Sequence, residues 1–247
     1  MDDTAARLPV LRERSARIFR AARREARAFA RLASLLPLDW GASLPDGTGP
    51  GDDVVVLVHG TLASAGAFRP LRERLSAIPR THTAGFTFPP SCGVVGVATH
   101  LASVLERLPR DARIHLVGHS LGGLAVRWFV QETEGDPRVV QTITVAAPFE
   151  GARGAWLFPG PAGRDMTSGS AVLRRLRVTA SVPDLPHLSI FGDADTAVAS
   201  STSFPVGDRV VVADAGHNAL LFHETVAEHV ARALAARRAD AVVSKST

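Results

Sequence analysis

Two hydrophobic periods divide the chain. Over residues 5–36 the spacing is helical: Leu11, Ser15, Ile18, Phe19, Ala22, Ala26, Phe29, Ala30 and Ala33 recur at intervals that place them on one face. Arginines fill the other face, and Pro37 stops the run. A stretch rich in Gly, Pro, Asp and Ser follows over 41–53 and reads as a linker. Beyond it the texture changes. Val54–Val58 is a continuous apolar run, the pattern of a strand buried on both faces of a parallel sheet. His82–Thr87, Ile114–Val117, Val139–Val145, Leu188–Phe191 and Arg209–Val212 predict further strands. Phe68–Ile78, Val94–Leu108 (closed by Pro109), Leu121–Glu132 and Ala219–Arg238 predict helices between and after them. Strands alternating with helices imply βαβ units, hence an α/β fold with a mostly parallel central sheet and helices on both faces. Residues 151–186 break the alternation. They are rich in Gly, Pro and Arg, hold one short helical stretch at Ala171–Leu176, and read as a short cap or lid. The domain reading is thus 1–50 for the basic amphipathic helix and linker, and 51–247 for the α/β domain.

At the third strand-to-helix junction the chain reads Gly118-His119-Ser120-Leu121-Gly122, followed by Gly123. Gly-x-Ser-x-Gly between a strand and a helix permits a sharp turn that exposes the serine hydroxyl and aims a helix N-terminus at it. His119 is expected to point away from the turn. A serine needs a base to take its proton and an acid to orient that base. "GDADTAV" (192–198) puts acids after the Leu188–Phe191 strand, where Asp193 and Asp195 both qualify. "AGHNALLF" (215–222) puts His217 after the Arg209–Val212 strand, next to Gly216 and at the start of the last helix, from where it can reach back over the sheet edge. His59-Gly60 follows the first strand. The backbone N–H of Thr61 can point at the same centre as that of Leu121, giving two donors for an oxyanion.

Composition changes this picture little. With 247 residues, 46% of them hydrophobic, a sizeable core is available to one α/β domain. The single cysteine, Cys92, excludes an intrachain disulfide and fits a reducing compartment. Arg7, Arg12, Arg14, Arg17 and Arg20 interrupt any signal-like apolar run, so the chain reads as cytoplasmic. The net charge of +4 is concentrated near the start, where residues 1–36 hold nine arginines against four acids. Two roles suit that helix: peripheral membrane contact, or packing on the domain or a second subunit. The mostly alanine face favours packing or oligomerisation. No base-reading motif accompanies the charge, so no nucleic acid is expected. No His/Cys/Asp/Glu cluster has ligand spacing, so no metal and no cofactor are expected either.

These residues resemble the α/β-hydrolases, and more narrowly the bacterial triacylglycerol lipases and esterases, with kinship to the glycosylphosphatidylinositol-inositol deacylases. The resemblance covers 53–235. It is carried, in the family's order, by Val54–Thr61, Val117–Arg127, Val145–Gly151, Gly192–Val198 and Gly216–Phe222, and 166–176 resembles the segment before the cap helix. It implies an α/β-hydrolase fold with Ser120 as nucleophile, His217 as base, and Thr61 and Leu121 as oxyanion donors. The family's Gly-x-x-Asp-x-x-Val pattern selects Asp195 over Asp193 as the acid. Ala147-Pro148-Phe149-Glu150-Gly151 departs from the Thr-Pro-His-x-Gly found in related lipases. The implied activity is cleavage of small-molecule or lipid carboxylic esters through an acyl-enzyme. Leu62, Phe149 and Trp156 are the candidate acyl-binding residues, with Phe68, Leu157 and Phe158 beside them. An acyltransferase or thioesterase would use the same triad, and a non-catalytic lipid-binding or scaffolding homologue would keep the residues without the activity.

Overall fold

The computed structural model describes residues 3–158 and 160–243, with side chains over 16–158 and 160–241. In chain order the elements are α1 (Asp3–Leu35), β1 (Ala42–Ser43), β2 (Asp53–Val58), α2 (Arg69–Ser76), β3 (Thr81–Phe86), α3 (Val94–Leu105), β4 (Arg113–His119), α4 (Leu121–Glu132), β5 (Val139–Val145), α5 (Gly160–Met166), α6 (Ala171–Val178), β6 (His187–Gly192), β7 (Asp208–Val212) and α7 (Glu224–Val243). The sheet runs β1-β3-β2-β4-β5-β6-β7 and is parallel except for β1, which pairs antiparallel with β3.

The side-chain period of a strand explains the layering. Along β2, Val54, Val56 and Val58 enter a core cluster shared with α3, α4, α5 and α6. Val55 and Leu57, pointing the other way, join Leu32 of α1, Leu71 and Leu75 of α2, and Val226, Val230 and Leu234 of α7. Each of these buried aliphatic side chains contributes about 1.5–3 kcal/mol of hydrophobic stabilisation. The sheet is therefore covered on both faces, as continuous apolar strands require.

Several elements differ from the sequence reading. The closing helix is interrupted: a 3-10 turn at Ala219–Phe222 precedes α7, and His223 between them is extended, its Nδ1 accepting the N–H of Thr225. β1 forms inside the stretch read as linker, and α5 forms from the Gly- and Pro-containing sequence GPAGRDM, which has no helical periodicity of its own. The stripe that α1 buries is also displaced. Ala21, Ala28 and Leu32 are buried, whereas Ile18, Phe19 and Phe29 of the predicted face are exposed. The packed stripe lies roughly a third of a turn around the helix from the predicted one. The side chains of Leu11 and Ser15, also on that face, lie outside the described ones.

The cap region is tied to the sheet from below. Arg127 of α4 is wholly buried and donates to Gln131, to Thr142 of β5 and to the Ala180 carbonyl just beyond α6; Gln131 in turn donates to the Leu176 carbonyl. Burial lowers the Arg127 pKa to about 10, and its guanidinium lies over the Phe204 ring. Among the described residues, no helix is long and apolar enough to cross a membrane.

Candidate active site

Thr61, Ser120, Asp195 and His217 follow the carboxyl ends of β2, β4, β6 and β7. β2 and β4 are neighbours, and from them the chain proceeds to opposite edges of the sheet. Ligands of open α/β sheets bind at such a switch point.

Ser120 sits between β4 and α4 at φ 53° and ψ −121°, a strained conformation for a residue with a side chain. Its N–H donates to the Val145 carbonyl at 2.9 Å. The glycines around it mark close approaches. A Cβ on Gly118 would overlap the Gly122 carbonyl, and one on Gly122 would overlap the carbonyls of Val58 and His59. The turn is thereby pressed against the end of β2. A Cβ on Gly60 would lie 2.9 Å from that of Ser120.

His217 Nδ1 donates to Asp195 Oδ2 at 2.8 Å. The Asp195 side chain is 1% exposed, and its other oxygen accepts the N–H groups of Ala197 and Val198, each at 2.8 Å. With Nδ1 turned to this carboxylate, His217 Nε2 faces outward. Asp193, the other sequence candidate, is engaged elsewhere: it accepts the N–H of Asp214 at 2.7 Å and pairs with Arg17. His217 and Ser120 line one cavity of about 320 Å³, together with Thr61, Leu62, Phe29, Leu157, Phe158 and Met166. Among the described residues, Ser120 Oγ and His217 Nε2 have no hydrogen-bond partner, and the N–H groups of Thr61 and Leu121 donate to no acceptor.

Phe149 and Trp156 are not brought to this cavity. Phe149 is buried against Phe204, with ring centroids 4.2 Å apart, and Trp156 is 81% exposed on the short turn before α5. Phe68 is buried beneath the sheet with Leu71 and Leu75. Leu62 does line the cavity, held at φ 59°.

The contacts of three neighbours were not read from the sequence. His119 does not point away: its Nε2–H donates to the His217 carbonyl at 3.1 Å, and the two rings stand 4.9 Å apart. Burial, reinforced by His217, pushes its pKa down to about 3, so the ring is neutral. His59 is stacked on Phe88 at 3.9 Å; its Nδ1–H donates to the Gly60 carbonyl while its Nε2 accepts the Phe88 N–H, which steadies the loop carrying Thr61. Burial lowers its pKa to about 4. The third is Glu25 of α1. Its carboxylate accepts the N–H of Asn218 at 2.9 Å, that of Ala219 at 3.0 Å and the Asn218 amide at 2.8 Å, all immediately after His217. Sequence spacing holds no signal for a partner 193 residues away.

No protein-family model matches this chain, and no curated protein matches it in sequence. Solved structures do match. The mature form of the Bacillus licheniformis lipase BlEst2 superposes with a TM-score of 0.61 at 17% identity, covering 74% of this chain and 92% of that one. Est1E from Butyrivibrio proteoclasticus gives 0.61 at 17%, covering 80% and 93%. A membrane phospholipase A described as a bacterial virulence factor gives 0.58 at 16%, covering 96% and 99%. At these identities the likeness is one of fold alone.

Proposed function

We propose that this protein hydrolyses carboxylic esters through an acyl-enzyme formed on Ser120. The observation that carries the reading is the 2.8 Å bond from His217 Nδ1 to the buried Asp195 carboxylate, in a cavity shared with a strained Ser120 at the head of α4. In the proposed reaction Ser120 Oγ attacks the ester carbonyl as its proton passes to His217 Nε2. The oxyanion is held by the free N–H groups of Thr61 and Leu121, each of which contributes about 3–4 kcal/mol of transition-state stabilisation in sites of this type. Collapse breaks the ester C–O bond, and the departing alkoxide takes the proton from His217. Water then attacks the acyl-enzyme by the same path, giving up its proton to His217, and Ser120 leaves with that proton restored. Asp195 holds the imidazole tautomer throughout. The apolar lining of Phe29, Leu32, Leu62, Leu157, Phe158 and Met166 favours an apolar acyl group.

Ser120→Ala is expected to abolish turnover of a short-chain aryl ester, leaving circular dichroism and thermal unfolding as in the wild type. A fluorophosphonate is expected to label the wild type at Ser120 only. Undiminished hydrolysis in the variant would sink the nucleophile assignment, and a wild type that neither turns over nor labels would point to the non-catalytic alternative. Product analysis with alcohol and water in competition separates hydrolysis from acyl transfer.

A further inference from the structure

The predicted apolar face of α1 is left without a protein partner, and a second cleft opens beneath it. Ile18, Ala21, Ala22, Glu25, Ala26 and Phe29 form one wall of about 700 Å³ of space, and the loop 193–196 with Arg153 forms the other. Ile18 and Phe29 are 63% and 64% exposed, a costly position for large apolar side chains on a helix whose other stripe is packed. The cleft is continuous with the Ser120 cavity, since Glu25, Phe29, Arg153 and Thr196 line both.

We propose that this cleft is the alkyl-chain groove of the enzyme, with the acyl chain of a long-chain ester running from Ser120 past Phe29 and along α1 toward Ile18. The proposal rests on the esterase reading above and deepens it by naming the substrate class. Three features favour an alkyl chain as the occupant. The carboxylates along the groove are already engaged: Glu25 by the N–H groups of Asn218 and Ala219, Asp195 by His217, Ala197 and Val198, and Asp193 by Arg17 and Asp214. Apart from the exposed guanidinium of Arg153, what the walls offer a ligand is therefore chiefly methyl and aromatic surface. Phe29 to Ile18 spans about 16 Å of helix, the reach of a long acyl chain. The cleft is concave and of small-molecule size, whereas a second protein chain would need an interface of about 800 Å² on each partner.

The test is the ratio of kcat/KM for p-nitrophenyl dodecanoate over p-nitrophenyl butyrate in the full chain. Ala22 and Ala26 are exposed, so Ala22→Phe and Ala26→Phe fill the groove without entering the core. Each is expected to lower the ratio by about tenfold or more, because every methylene kept in water forfeits part of its transfer energy. Ala30→Phe, on the same helix but lining neither cavity, is expected to hold the ratio within about twofold of wild type. A ratio unmoved by both groove variants, or moved equally by Ala30→Phe, overturns the groove while labelled Ser120 and butyrate turnover leave the esterase reading standing. A wild type that hydrolyses neither ester and takes no fluorophosphonate label overturns both.

Discussion

At Ser120 the strained backbone costs about 1–3 kcal/mol and persists because Gly118 and Gly122 let β2, β4 and α4 crowd around it. Asp195 is over-determined in another way, accepting three hydrogen bonds at 2.8 Å while almost out of water. Asp195→Asn keeps the shape but lets the amide donate toward Nδ1 and select the wrong imidazole tautomer. The expected outcome is a fall in kcat of about 10³–10⁴-fold with little change in KM, read from steady-state kinetics on an aryl ester. The serine turn, the histidine after β7 and the paired acids of 193–195 were legible in the sequence, because each sits at a strand end beside a glycine that makes room for it. Choosing between Asp193 and Asp195 by position alone was not possible. Their hydrogen-bond partners, Asp214 and Arg17 for one and His217 for the other, are supplied by distant segments. His119 is a related case: its ring is neutral and turned onto His217 because the packed core offers its Nε2–H the His217 carbonyl.

On the scale of elements, α1 does more than extend the chain. It packs Ala21, Ala28 and Leu32 onto the domain, and Glu25 caps the backbone that follows His217. Gly216 belongs to this contact, since a Cβ there would overlap the Glu25 carboxylate. Glu25→Ala leaves the N–H groups of Asn218 and Ala219 unpaired and is expected to cost about 1–3 kcal/mol in urea-induced unfolding, with a drop in kcat/KM. Arg17→Ala removes ion pairs of a half-exposed, solvent-screened side chain to Asp193 and Asp214, and the same unfolding measurement is expected to show a smaller loss than Glu25→Ala. That α1 is a helix was evident from its spacing and Pro37. Which face packs was not, because alanines occur all round it and bury too little area to choose. The choice follows from what the domain presents: the close approach of Gly66 to the Leu35 carbonyl, and the 219–222 turn that Glu25 grips.

On the scale of the molecule, four histidines among the described residues are buried, His59, His115, His119 and His187. Burial pushes His59 down to about 4 and His119 and His187 to about 3, and it lowers His115 in spite of its bond to Asp53. The unfolded chain takes up these protons near pH 6.5, while in the native state His59 resists its proton until about pH 4, His119 and His187 until about pH 3, and His115 to below the ordinary range. In that window the unfolded state binds more protons, so stability falls as pH falls. The melting temperature is expected to hold above pH 7 and to drop by about 5 °C or more between pH 6.5 and 4, measured by calorimetry at constant ionic strength. Substituting one of these histidines by an uncharged residue of similar size would flatten that slope. By itself the sequence determined the order of the six parallel strands and of α1–α4, α6 and α7, and the three strand ends that carry Ser120, Asp195 and His217, because these depend on local periodicity and on glycines at turns. The tertiary structure alone decided which stripe of α1 is buried, that Phe149 lies in the core and Trp156 in solvent, and that Glu25 and His119 meet the His217 loop. Those outcomes depend on which surfaces are left to cover once the sheet has closed, and no spacing along the chain encodes that.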